Sequence, residues 1–220
     1  MIHAVLLGDS IFDNRSYTKG EPDVASHLRA LIPDCAVTLV ARDGTTTYDV
    51  GAQFERVPPS ATHLFLSLGG NDALMNADLL NLEGRSTAEA LDLFRDRVAA
   101  FELSYGHALE ALLGLGRRTT VCTIYDGNLP SPERERAATA LRLFNDVIYS
   151  TAWRTGASLL ELRAICNGPS DYANPIEPSG SGGLKIAKAI SLALDDKRPL
   201  GPLVTRERAD SAEHGRDDSR

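Results

Sequence analysis

Five short apolar runs, each separated from the next by a helical pattern, constrain this chain more than any other feature. The predicted strands cover residues 2–7, 36–40, 62–68, 119–124 and 158–162. Continuous apolar strands of this kind are buried on both faces, and helices between them favour parallel pairing. Right-handed crossovers place those helices on both sides of the sheet. The sequence therefore predicts the α/β class, as a three-layer α/β/α sandwich around a five-stranded parallel sheet.

The longest predicted helix begins at Ser86 and Glu89, which match a capping box. Apolar residues then recur at 3–4 spacing and place one stripe against the sheet: Leu91, Phe94, Val98, Phe101, Tyr105, Ala108 and Leu112. A second long helix is predicted to open at Ser131-Pro132, and the last covers about residues 182–195.

The pattern ends near residue 197. Pro199 and Pro202 interrupt the chain, and residues 206–220 are almost entirely polar. A segment that buries little apolar surface does not offset the entropy of its own ordering. We expect one domain over residues 1–197 and a disordered polar tail over 198–220.

The composition excludes several classes of partner. The net charge is -7 and the 23 Lys and Arg are scattered, so nucleic acid is not an expected partner. No apolar run reaches the roughly 18 residues of a membrane span, and the N-terminus lacks a signal-peptide pattern. Cys35, Cys122 and Cys166 lie far apart and are expected to be free thiols. We predict a cytoplasmic protein with no membrane partner, no metal and no cofactor.

Polar, glycine-containing loops follow the first four predicted strands. They contain Gly8-Asp9-Ser10, residues 42–47, residues 69–72 and residues 125–128. In an open parallel sheet the ligand crevice lies beyond the carboxyl ends of the strands. We therefore expect these loops to form the functional site.

The loops resemble the blocks of the SGNH hydrolases, also called GDSL-type esterases and lipases. Gly8-Asp9-Ser10 is similar to the nucleophile block, Gly44 to the second block and Gly70-Asn71-Asp72 to the GxND block. Pro178-Ser179, followed by Gly183 and a helix, is similar to the end of the last block. The likeness spans residues 1 to about 195 and implies the flavodoxin-like SGNH fold.

The resemblance implies a role for each of these residues. Ser10 would attack the acyl carbonyl, and the backbone N–H groups of Ser10 and Gly44 and the amide of Asn71 would form the oxyanion hole. Acyl transfer needs donors aimed where negative charge develops, and one such donor is worth roughly 2.7–4 kcal/mol. No G-x-S-x-G elbow surrounds Ser10, which argues against the α/β-hydrolase fold.

The last block departs from the family pattern. Glu177 stands where the family keeps its histidine base, and Asn174 stands where it keeps the orienting aspartate. An amide can hydrogen-bond a carboxylate without repelling it, so the two changes are mutually consistent. The five histidines (His3, His27, His63, His107 and His214) are expected to be structural or surface residues. A carboxylate base at its reference pKa of about 4.3 would support activity down to about pH 5, and burial of the carboxyl would raise that limit by about a unit or more.

Three further carboxylates are weaker candidates for substrate contact. Asp9 lies in the nucleophile block, Asp13 follows it, and Asp126 ends the fourth strand. Turn and cap chemistry is the simpler interpretation of Asp13. Residues 180–183 precede a helix and could cradle an anion, but a cap and turn explain them more simply.

The leading hypothesis is a serine hydrolase that cleaves a small-molecule ester through an acyl-enzyme on Ser10, with Glu177 as an atypical base. The first alternative is a binding protein that keeps the pocket without turnover. The second is a flavodoxin-like nucleotide binder, which would need a phosphate loop at residues 8–12. Leucines and a methionine in residues 73–85 either line an apolar acyl site or pack internally: Leu74, Met75, Leu79, Leu80 and Leu82.

Overall fold

The computed structural model describes residues 1–195, and the predicted tail at 198–220 lies outside the described residues. The strands are β1 (His3–Gly8), β2 (Ala36–Leu39), β3 (His63–Ser67), β4 (Arg118–Cys122) and β5 (Ser158–Leu160). The helices are α1 (Val24–Leu31), α2 (Gly51–Phe54), α3 (Gly70–Met75), α4 (Thr87–Leu113), α5 (Glu133–Thr155), α6 (Leu162–Ile165) and α7 (Gly180–Asp195), with short 3₁₀ helices at Ala77–Asn81 and Pro169–Asp171.

All of these strands pair in parallel, in the order β2-β1-β3-β4-β5. Side chains that alternate along β1 serve two separate cores. Val5 and Leu7 face the core under α4 and α5, whereas Ala4 and Leu6 face the core under α1 and α7. The α/β/α sandwich predicted from the apolar runs is therefore confirmed.

Helix α4 differs in two details from its sequence pattern. The Ser86 hydroxyl accepts the Glu89 N–H at 3.1 Å, but the Glu89 carboxylate accepts the N–H of Arg85 instead of closing the box on Ser86. Leu91, predicted to face the sheet, is 63% exposed. The stripe is fully buried only from Phe101 onward, and Phe94 and Val98 are half-buried.

The end of β1 requires a glycine. Gly8 has a φ of +110°, and a Cβ at this position would lie 1.6 Å from the carbonyl oxygen of Ser67 on β3. The same carbonyl accepts the N–H of Asp9 at 3.1 Å. The chain thus turns sharply off the sheet immediately before Ser10.

Gly8→Ala is expected to destabilise the fold by about 2–5 kcal/mol, since overpacking costs about 1–3 and a positive φ about 1–2. Urea unfolding measures the loss. Gly20→Ala is the matched control, because Gly20 has a φ of +93° but open space around its missing Cβ. Only the backbone term, about 1–2 kcal/mol, applies there. Equal losses in the two variants would contradict the steric account.

Candidate active site

Ser10 lies just beyond the carboxyl end of β1, where the side chain of Gln53 fixes the backbone. Gln53 accepts the N–H of Gly8 at 2.8 Å and donates to the Gly8 carbonyl at 2.8 Å. It also donates to the Thr45 hydroxyl at 3.1 Å. No sequence pattern singles out Gln53, because its role depends on contact between residues that are 45 positions apart.

The Ser10 hydroxyl donates to Glu177. Oγ lies 3.0 Å from Oε1, although 167 positions separate the two residues in the chain. Ser10 is 7% exposed and Glu177 is 6% exposed. The second carboxyl oxygen, Oε2, is buried and has no hydrogen-bond partner within residues 1–195. The pair predicted from the last block is therefore brought into direct contact.

Burial raises the pKa of Glu177 to about 7, against the lowering effect of the Ser10 hydroxyl, and the nearby charge of Asp43 raises it further. An ordinary Glu titrates near 4.3. The limit near pH 5 that a solvated carboxyl would give therefore moves to higher pH, in the direction expected from burial. A base with a pKa near 7 is half ionised at neutral pH and well matched to proton transfer.

Asn174 acts on Glu177 through the backbone. Its Oδ1 accepts the N–H groups of Ile176 and Glu177, each at 2.9 Å. This Asx-type turn fixes where the Glu177 side chain leaves the chain. The sequence-based expectation of an amide bonded to the carboxylate is corrected: the bonds of Asn174 go to backbone N–H groups.

The loop after β4 supports the same turn. The Tyr125 hydroxyl donates to the Ile176 carbonyl at 2.6 Å, and the N–H of Asn128 donates to the Pro175 carbonyl at 2.8 Å. Gly127 has a φ of +74°, and a Cβ there would lie 2.7 Å from the Pro175 oxygen. In the sequence this loop is only a polar, glycine-containing segment, and no local pattern indicates that it holds Glu177.

The predicted oxyanion donors have unused N–H groups. Asn71 donates one amide hydrogen to the Thr45 carbonyl at 2.9 Å, and a primary amide carries a second. The backbone N–H groups of Ser10 and Gly44 donate no hydrogen bond within the described residues 1–195. Gly44 has a φ of +80° and open space beside it. Asn71 lines the same cavity as Ser10, whereas Gly44 is not among the lining residues.

Asp72 ties the loop after β2 to α3. Its carboxylate accepts the Thr47 hydroxyl at 2.6 Å and the Thr47 N–H at 3.2 Å. Burial raises the pKa of Asp72, and the bonds from Thr47 partly offset this effect. The Thr47–Asp72 contact fixes the loop that carries Gly44 relative to the helix that carries Asn71.

Asp9 is buried beside Ser10 and hydrogen-bonded to neighbouring residues of the fold. Its Oδ1 accepts the Ser67 hydroxyl at 2.9 Å and the Ile11 N–H at 3.2 Å. Burial raises the pKa of Asp9 to about 7; these two bonds lower it and the charge of Glu177 raises it. Two carboxyl groups with raised pKa values therefore flank Ser10.

The two remaining carboxylate candidates differ in position. Asp13 accepts the N–H of Asp43 at 3.0 Å and is not among the residues that line the cavity. This contact fits the turn interpretation of Asp13 rather than substrate contact. Asp126 lies in the loop that follows β4 and lines the cavity.

The described histidines lie elsewhere. His3 and His63 begin β1 and β3 at the amino edge of the sheet, opposite to Ser10. His27 lies within α1 and His107 within α4, and no histidine of residues 1–195 lines the cavity with Ser10. His214 lies outside the described residues.

A cavity of about 420 Å³ opens at the carboxyl edge beside Ser10. Its polar residues include Asp9, Ser10, Asn71, Asp126 and Glu177, and most of the remaining wall is apolar. Of the apolar candidates in residues 73–85, Leu74 and Leu80 line the cavity. Leu79 is buried outside it, and Met75 and Leu82 are exposed.

The comparisons with known proteins agree with this geometry. The model of the GDSL-like lipase/acylhydrolase family matches residues 6–182. The chain belongs to the GDSL-like lipase/acylhydrolase family. The resemblance inferred from the sequence blocks is thereby confirmed, and the protein is a carboxylic ester hydrolase of the GDSL type. No curated protein sequence matches the chain significantly.

Solved structures of esterases and lipases share the fold of this GDSL-family chain. An extracellular lipase from Streptomyces rimosus is 17% identical with a TM-score of 0.64, covering 88% of this chain and 100% of its own. Phospholipase A1 from Streptomyces albidoflavus is 18% identical with a TM-score of 0.63, and the match covers 88% of this chain and 99% of the phospholipase chain. The acetylxylan esterase Axe2 from Geobacillus stearothermophilus is 17% identical with a TM-score of 0.61, and the match covers 89% of this chain and 95% of the esterase chain.

Among the described residues of this GDSL-family chain, no helix is both long enough and apolar enough to cross a lipid bilayer.

Proposed function

We propose that this GDSL-family enzyme cleaves a small-molecule carboxylic ester through an acyl-enzyme on Ser10, with Glu177 as the base. The observation that carries the proposal is the 3.0 Å hydrogen bond from the Ser10 hydroxyl to Glu177 Oε1. Nucleophile and base within hydrogen-bond reach is the signature of covalent catalysis by serine.

In the first half-reaction Glu177 Oε1 takes the proton of Ser10 as Oγ attacks the carbonyl carbon. The resulting oxyanion accepts hydrogen bonds from the Asn71 amide and from the N–H groups of Ser10 and Gly44. The carbon–oxygen bond to the alcohol then breaks, and the proton on Glu177 passes to the leaving oxygen. The products are a free alcohol and an ester on Ser10 Oγ.

In the second half-reaction Glu177 takes a proton from water, and the hydroxide attacks the acyl carbon. The same donors stabilise the second oxyanion. As the bond to Ser10 Oγ breaks, Glu177 returns its proton to that oxygen and the carboxylic acid leaves. Atoms and protons balance, and Glu177 ends the cycle ionised.

The environment of Glu177 supports its use as a base in place of imidazole. A carboxylate with a pKa of about 7 accepts protons as readily as a histidine, whose reference pKa is about 6.5. Asn174 holds the turn through neutral amide bonds, so it adds no second negative charge beside the base.

The cytoplasmic location expected from the sequence remains a prediction.

A fluorophosphonate probe tests the proposal directly. We expect the wild type to be labelled at Ser10 and Ser10→Ala to lose all labelling, since the probe reports an activated serine. Ser16→Ala is the control, because Ser16 is exposed in the loop that follows β1. If the wild type takes no label and hydrolyses neither p-nitrophenyl acetate nor p-nitrophenyl octanoate, the proposal is wrong and a binding protein without turnover replaces it.

A further inference from the structure

The cavity beside Ser10 has a polar part, to which Ser10, Asn71 and Glu177 belong, and a larger apolar body. Ser10 and Glu177 are in direct hydrogen-bond contact within that polar part. The body is walled by one face of α5 together with residues of α3, the following 3₁₀ helix and α4, including Phe94, Leu74 and Leu80. A pocket of this build suits a ligand with one reactive polar group and an apolar remainder.

We propose that this cavity binds the acyl chain of the substrate and that Ala137 and Ala140 on α5 set its depth, so that medium-chain esters are preferred over acetyl esters. The inference rests on the proposed function and names its substrate class. At roughly 30 Å³ for each water-sized group, about 420 Å³ holds on the order of fourteen such groups. The polar part and the solvent side at Glu133 and Arg136 take up part of that space, so an acyl chain of roughly six to ten carbons fills the apolar remainder with its carbonyl group at Ser10.

Of the two parts of the ester, the acyl chain is the better match to the apolar body of the cavity. The acyl chain stays attached to Ser10 between the two half-reactions, whereas the alcohol has to leave before water enters. Glu133 and Arg136, in the first turns of α5, line the same cavity but are exposed, so they mark its solvent side. A departing polar alcohol is matched to that charged side and an alkyl chain to the apolar body.

The depth of the cavity depends on two small side chains. Ala137, Ala140, Leu141 and Phe144 share one face of α5, at the 3–4 spacing of a helix, and all four line the cavity. Ala137 and Ala140 are half-buried there. A leucine at either position would project three further carbons into space that the chain needs.

The depth of the cavity is tested by comparing the hydrolysis of p-nitrophenyl acetate and of p-nitrophenyl octanoate by the same enzyme preparation. In the wild type we expect kcat/KM to rise about fourfold for each added methylene until the cavity is full. Ala140→Leu should lower the octanoate-to-acetate ratio about 10–100-fold, since room for about three methylenes is lost. The ratio is independent of the folded fraction, so partial misfolding of the variant does not affect it.

Ala138→Leu is the matched control, because Ala138 is half-buried on the same helix but is not among the residues that line the cavity. Its ratio should equal that of the wild type. A second series varies the alcohol instead, with octyl acetate against ethyl acetate. If Ala140→Leu changes the discrimination between these alcohols and leaves acyl discrimination intact, the chain in the cavity is the alcohol and the inference is overturned.

Binding of octanamide and acetamide, measured by calorimetry, separates this inference from the proposed function. Both are neutral acyl analogues and need no turnover. Tighter octanamide binding that Ala140→Leu weakens supports the acyl site even if no ester is cleaved, in which case only the proposed chemistry fails. Ester cleavage with a flat chain-length profile and no octanamide binding would overturn the acyl site and leave the Ser10 chemistry standing.

Discussion

Glu177→Gln is expected to lower kcat on a p-nitrophenyl ester by about 10²–10⁴, the range of a positioned acid–base group. Glutamine is nearly isosteric and can still accept the Ser10 hydrogen bond at its oxygen, but it does not take up the proton. The Asx-type turn from Asn174 to Glu177 is made by backbone N–H groups, so the substitution leaves it intact. Steady-state kinetics measures the loss.

The pH dependence of kcat tests the role of Glu177 independently of the substitution. The base works when ionised, and burial raises the pKa of Glu177 to about 7. Activity should therefore be full above about pH 8 and fall as the pH drops through 7. Each unit below the pKa lowers the ionised fraction about tenfold, and Glu177→Gln should remove this dependence.

Glu110→Gln is the control for the amide substitution, because Glu110 is exposed on α4 and does not line the cavity. It should keep the wild-type kcat and the wild-type acid limb. Wild-type turnover in Glu177→Gln would show that Glu177 is not the base. An acid limb that persists in that variant would assign the titration near pH 7 to another group, with Asp9 the first to examine.

Asn71→Ala is expected to lower kcat by about 10²–10³, or about 2.7–4 kcal/mol, while KM changes little. The ground-state carbonyl carries less negative charge than the oxyanion, so the lost donor acts mainly in the transition state. Rates on a series of p-nitrophenyl esters separate kcat from KM.

The substitution also removes the bond from Asn71 to the Thr45 carbonyl, which positions the loop after β2. Asn167→Ala is the control for the loss of such a side-chain-to-backbone hydrogen bond. Asn167 donates to the Ala164 carbonyl at 3.2 Å, and it does not line the cavity. It should cost stability without affecting kcat. A change confined to KM in Asn71→Ala would mean that the amide binds the ground state.

The strands were predictable because buried parallel strands need uninterrupted apolar runs. The run at residues 62–68 became β3 at His63–Ser67. The run at residues 158–162 became a shorter strand, Ser158–Leu160, because Glu161 caps α6 by accepting the N–H of Arg163. Strand ends depend on such local competition, which an apolar pattern does not contain.

The convergence of the site was also predictable, since residues that follow parallel strands meet at one edge of the sheet. Ser10 and Asn71 line one cavity for that reason, whereas Glu177 reaches it from the turn that precedes α7. The contribution of Gln53 was not predictable. It bonds both backbone groups of Gly8 across the fold, and nothing local distinguishes it from a surface glutamine.

The sequence by itself determined the sheet, because buried parallel strands need apolar runs in this order. Its resemblance to the family pointed to Ser10 as the nucleophile and to Glu177 at the position of the usual histidine, and both roles stay predictions. Only the tertiary structure decided how Glu177 behaves. Its pKa of about 7 is caused first by burial, which depends on residues from distant parts of the chain. The role of Asn174 was decided in the same way, since whether an amide bonds a carboxylate or a backbone N–H depends on the path of the turn.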